Sequence, residues 1–184
     1  MIGKTRAQRA AITRERLVDA GLRLAERTSL SDMSINLIVE EAGVAKGTFF
    51  HHFDDRGSFL LALHRKFHDS LFAGILAAAG GLPPGRERLL ATANAYLDGC
   101  LRLRGIRALL LEARAEPAVA GEIARRNEQA RDLISPDFDA MGWPHPSEAA
   151  ALWIGLVVEA ALLELAIGQR DASLRDAITS FVNS

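Results

Sequence analysis

A single cysteine, Cys100, stands among 184 residues. No internal disulfide can form, and no cysteine cluster offers a structural zinc site. Net charge is almost absent as well, at −1 with the histidines neutral, which excludes a polycation that coats an anionic polymer along its whole length. Strand signatures are missing, with neither period-two alternation nor hairpin dipeptides between β-branched runs. The start of the chain lacks an apolar leader, so no signal peptide is expected. The longest apolar run, "EAAALWIGLVVEAALLELAIG", is interrupted by Glu159 and Glu164, charges that are costly near the middle of a membrane span. It reads as a buried helix of a soluble protein in a reducing cytoplasm. Internal repeats and low-complexity segments are also absent.

What is present is a folded composition, 49% apolar and 24% charged, of a length for one sizeable domain or a small domain sharing a helix with a larger one. Charge is unevenly placed. Residues 1–16 hold Lys4, Arg6, Arg9, Arg14 and Arg16 against Glu15 alone, a basic tip suited to an anionic polymer.

Helical spacing recurs throughout. Between Thr13 and Arg27 the apolar positions Leu17, Ala20, Gly21, Leu24 and Ala25 form one stripe. Ser34 suits the N-cap of a short helix over Ile35–Ala42, and Gly43 suits the left-handed residue that ends it. A further short helix fits Lys46–Phe53, and "DDRGS" opens a long one over Phe59–Ala79, which "GGLPPG" stops. Beyond it the pattern predicts helices over Arg86–Leu103, Ile106–Arg114, Pro117–Ile134, Pro146–Ile167 and Ala172–Val182. "SPDFDAMGWPHP" is expected to be the longest irregular connection of this half. The fold class is all-α with about nine helices.

An amphipathic helix followed by two short ones joined through a glycine is the helix-turn-helix arrangement, whose last helix enters the major groove of DNA. Over "KGTFFHH" the residues suit that task. Lys46 can reach a guanine edge or a phosphate, Gly47 lets backbone approach closely, and Thr48 can offer its methyl to thymine. His51 and His52 can donate to phosphates, which set register without reading sequence. Phe49 and Phe53, four apart, share a face and are expected in the core, whereas Phe50 points elsewhere and is read as a DNA contact. Arg6 and Arg9 belong either to a solvated tail or to an arm reaching the duplex.

The run from Ser34 to Phe53, with the "DDRGSFLLAL" that follows, resembles the DNA-binding segment of TetR-type transcriptional repressors. The likeness covers roughly Arg14 to Leu63, with glycine pair, aromatic pair, histidine and terminal phenylalanine in register. It implies that three N-terminal helices bind DNA, over residues 1–54, and that residues 55–184 hold an effector pocket and a homodimer interface. It also implies DNA contacts at Ser34, Lys46, Gly47, Thr48, Phe50, His51 and Arg56. Three residues depart from the family pattern: Phe50 stands in place of a tyrosine, Gly57 in place of an acidic residue, and Val39 in place of alanine.

Two histidines, a glutamate pair and an arginine cluster admit other readings. His64 and His68 stand at i and i+4, the spacing for one metal, yet no third ligand or H-E-x-x-H arrangement accompanies them, so neither metal nor cofactor is expected. The rival class is an all-helical enzyme or a metal-binding bundle using this pair, but no nucleophile–base pair supports it, and the expectation is a non-enzyme. Glu159 and Glu164 are read as interface or pocket-edge residues, and Cys100 as a small buried hydrophobe. Arg102, Arg104 and Arg107 around Gly105 are either a solvated face or an anion clamp at a pocket mouth. The partners expected are a palindromic DNA operator, a second copy paired through Ala149–Ile167 and the last helix, and a small-molecule effector. Phe67, Phe72, Tyr96, Leu111 and Trp153 are the candidate lining of the effector pocket, and Phe59–Ala79 is the candidate transmitter.

Overall fold

The computed structural model describes residues 5–183, in which nine α-helices and one short 3₁₀ turn account for the fold and no strand occurs. Lys4 of the basic tip lies outside the described residues. The chain divides into two compact units, one running to Phe67 and adding Gly105–Glu122, the other comprising His68–Arg104 and Ile123 onward. The residue 54 boundary of the sequence reading falls within the first unit.

In the first unit, α1 (Arg6–Ala25) starts earlier than the apolar stripe predicts, because Thr5 and Gln8 form a reciprocal capping box. The basic tip is therefore helical from Arg6 onward. Ser34 accepts from the Leu37 amide to begin α2 (Ile35–Ala42). Gly43, at φ 64° and ψ 42°, ends it. Its amide donates to the Glu40 carbonyl and that of Val44 to the Val39 carbonyl, a Schellman closure that a residue with a Cβ would strain. α3 spans Lys46–His52. Asp55 and Ser58 cap one another at the start of α4 (Arg56–Ala79), which opens one turn ahead of the predicted Phe59.

The core beneath these helices holds Leu17, Leu24, Met33, Ile38 and Leu63 with a cluster of three rings. Phe49, Phe53 and Phe59 lie with centroids 5.1–5.4 Å apart, and the Arg14 guanidinium sits 4.9 Å above the Phe53 ring. Glu41 bridges Arg23 and Arg27 of α1 at 2.7 and 2.5 Å, and these donors hold its carboxyl below the ordinary range. α6 (Arg104–Glu112) also belongs here. A Cβ at Gly105 would lie 2.7 Å from the Glu26 Cα and 2.8 Å from the Ala25 carbonyl oxygen, so this glycine permits close helix crossing and not a kink. The Glu112 carboxylate accepts from the Leu30 amide at 3.0 Å.

The second unit holds the rest of α4, α5 (Arg86–Arg102), the greater part of α7 (Pro117–Ala140), α8 (Pro146–Ile167) and α9 (Ala172–Phe181). α7 corrects the expected long connection, because helix continues through Pro136 to Ala140. Proline within a helix costs about 3 kcal/mol, and tertiary contacts just beyond it hold the turn. Asp137 is fully buried and accepts from Arg88 Nε at 2.7 Å and from the Gly85 amide at 2.8 Å. Phe138 packs edge-on against Trp143 and Trp153. α8, which by length and composition could cross a membrane, packs against α5 and α9.

Glu164 was read as an interface or pocket-edge residue, and the structure corrects this. It is wholly buried and takes the Arg175 Nε and Nη2 on its two oxygens, both at 2.8 Å. Arg175 also reaches Asp98 at 2.6 Å and Asn94 at 3.1 Å, so one guanidinium ties α5, α8 and α9 together. The Glu164 carboxylate pushes the Arg175 proton affinity further up.

Candidate nucleic-acid interface

α3 is only seven residues long and lacks a side-chain N-cap bond, so its position depends on Phe49 and Phe53 being sunk in the core. Helical geometry then turns Lys46, Gly47, Phe50 and His51 to the opposite arc, and all four are exposed. Thr48 and His52 lie between the arcs, half-buried. Phe50 leaves 49% of its surface in solvent while its ring stands edge-on to Phe49, the centroids 5.5 Å apart. A Cβ at Gly47 would meet nothing within 4 Å, so internal packing does not require glycine there.

Ser34 is exposed at the N-terminus of α2, its hydroxyl already accepting from Leu37. Arg6 and Arg9 are exposed on the first two turns of α1, presented by a helix and not by an extended arm. Burial, then the neighbouring His51 and Arg14, holds the His52 imidazole below its ordinary value of 6.5.

Arg56 departs from the set that the family resemblance assigns to DNA. Its guanidinium is turned inward, with Nε donating to the Met33 carbonyl at 3.2 Å and Nη2 to the Leu30 carbonyl. It thus braces the turn that presents Ser34, a role invisible in sequence because both acceptors are main-chain atoms.

The candidate pocket residues separate. Phe72, Tyr96 and Trp153 line one cavity of about 110 Å³ within the second unit. Phe67 and Leu111 do not line it and belong to the first unit, where Phe67 is core. The walls come from α4, α5, α7 and α8 and are apolar except for His68, Thr92, Tyr96, Arg126 and Asn127. The sequence reading missed Arg126 and Asn127, which no local motif marks. His64 is buried while His68 lies at the cavity wall, and no group of three metal-ligating side chains converges among the described residues. Of the three arginines near Gly105, Arg102 and Arg104 are exposed. Arg107 is buried in the first unit and is not in the cavity lining, so it is not part of a solvated face.

Residues 17–63 match the family described as bacterial regulatory proteins, tetR family. Over 178 residues the chain is 25% identical to an uncharacterised HTH-type transcriptional regulator of Mycobacterium tuberculosis, spanning 96% of this chain and 86% of that protein. Its fold is similar to that of a transcriptional regulator from Rhodococcus sp. Rha1, with TM-score 0.79, 23% identity and coverage of 92% and 94% of the two chains. It is also similar to the multidrug binding protein EbrR complexed with imidazole, with TM-score 0.73, 18% identity and coverage of 92% and 94%. The matched segment, the relative aligned over most of its length and the shared all-helical fold agree, and residues 17–63 carry the DNA-binding segment of the bacterial regulatory proteins, tetR family.

Proposed function

We propose that the protein is a homodimeric repressor that holds a palindromic operator through α3 and lets it go when a small molecule fills the cavity. The observation that carries the DNA reading is the exposed arc of α3, with a glycine that the protein's own packing does not need. Lys46, Gly47 and Thr48 address base edges. Ser34, Phe50, His51, His52, Arg6 and Arg9 lie against the backbone. Arg56 acts indirectly by fixing the turn before α2. Phe50 brings no hydroxyl, so its contact to the duplex is by packing alone and forgoes a hydrogen bond worth about 1 kcal/mol.

The second copy is argued from α8 and α9. Leu152 is 77% exposed, and Leu163, Ile167 and Phe181 are also exposed. Leu152, Leu163 and Ile167 fall on one stripe of α8. A self-complementary contact there would set two recognition helices about one DNA turn, ~34–36 Å, apart. Sedimentation and operator titration test this. The parent is expected to bind as two protomers per duplex, and Leu163→Arg to sediment as a monomer with operator affinity lost. A monomeric parent that binds operator tightly would overturn the dimer reading.

Effector release rests on the cavity and on the ligand-bound relative, EbrR, whose fold this chain shares. α4 lines the cavity with its later turns and begins beside the turn braced by Arg56. A ligand that prefers one setting of α4 must weaken operator binding by the same coupling free energy, typically about 1–3 kcal/mol.

A further inference from the structure

The cavity has a chemical polarity that narrows its occupant, on the reading that it is the effector site. Its apolar lining includes Phe72, Trp153 and Val157. Arg126 is also in the lining, with its side chain only 12% exposed, and its Nη2 donates at 2.5 Å to Asp69, whose side chain is 64% exposed. A nearly buried cation is thus neutralised by a carboxylate that itself stands mostly in water. A carboxylate arriving from inside the cavity can take over that cation while Asp69 turns to solvent at little cost, since a solvated carboxylate is stable alone. A cationic ligand would be repelled by Arg126, and a neutral one would gain a single hydrogen bond without the ionic attraction. The volume, about 110 Å³, is below the about 150 Å³ of an apolar cavity that takes up benzene, which limits the occupant to a single ring. The aromatic side chains of Phe72, Tyr96 and Trp153 offer that ring edge and face contacts.

We propose that the cavity takes a small aromatic carboxylate, its ring against Phe72 and Trp153 and its carboxylate replacing Asp69 on Arg126. The exchange is regulatory by position. Asp69 belongs to α4 and Arg126 to α7, so the ligand breaks one of the ties between α4 and α7 when it binds, leaving the Arg65–Glu122 pair in place.

Calorimetric titration of the full-length protein with benzoate and with its neutral counterpart benzyl alcohol tests the proposal, with operator binding followed in parallel. Benzoate is expected to bind about ten- to hundredfold tighter than benzyl alcohol, the scale of one charge-assisted hydrogen bond. Arg126→Gln should remove that preference. Asp69→Asn, which removes the competitor without touching the wall, should tighten benzoate severalfold and leave benzyl alcohol unchanged. Equal affinity for the two probes, no binding of either, or weaker benzoate binding in Asp69→Asn overturns the carboxylate class. Benzoate that binds with these preferences yet leaves operator affinity unchanged overturns the effector reading instead.

Discussion

Gly47→Ala separates what the protein needs from what its DNA contact needs. Gly47 is the second residue of α3, and an added methyl would meet no atom within 4 Å. Glycine in a helix is worse than alanine by about 0.5–1 kcal/mol, through backbone entropy lost on folding. Nothing in the first unit offsets that loss, so Gly47→Ala should stabilise the protein by about that amount. Its melting temperature should rise by roughly 2–4 °C, the shift for about 1 kcal/mol in a chain of this size. In the proposed complex the same methyl would stand between the backbone of α3 and the duplex. If it breaks one charge-assisted hydrogen bond per protomer, worth about 1.5–3 kcal/mol, operator affinity should fall by at least about tenfold. Thermal denaturation and fluorescence anisotropy on one preparation read both quantities. Because stability is expected to rise while binding falls, unfolding cannot account for the loss. A variant that is more stable and binds as tightly as the parent would refute the close-approach argument.

Glu164→Ala should cost about 3–5 kcal/mol in denaturant unfolding, because it strands the buried Arg175; Glu164→Leu with Arg175→Met should recover most of it. Arg56→Ala should lower stability by about 1–3 kcal/mol through the lost Met33 and Leu30 acceptors, and should weaken binding to all DNA sequences alike without changing which is preferred. His52 titrates below 6.5 in the folded protein, so below that value the unfolded chain holds more protons. Stability should therefore rise with pH through the window beneath 6.5 and gain nothing further from this residue above it. Denaturation midpoints between about pH 5 and 7.5 should show that rise, and His52→Gln should reduce it.

The first three helices were legible because their signals are local: a stripe at helical spacing, Ser34 at an N-cap, Gly43 at a left-handed stop, and two phenylalanines four apart. Pro136 shows where such reading ends. Its ring argues for a break, while the buried Asp137 and Phe138 that keep α7 helical find their partners in Arg88 and Trp153, far away in sequence. Arg56 and Arg126 follow the same logic. The acceptors of the first are carbonyls, and the partner of the second lies 57 positions away, so neither role leaves a motif. Aromatic residues placed by helix order alone could not be divided between a core, as for Phe67, and a cavity wall, as for Phe72.

In the proposed complex two copies of α3 read one symmetric site. In vitro selection from a random duplex pool at two salt concentrations tests it directly. The expected result is enrichment of a palindrome with half-sites about 10–10.5 base pairs apart, centre to centre, and affinity that falls steeply with salt. Enrichment of an asymmetric sequence, or equal weak binding to every sequence, would contradict it.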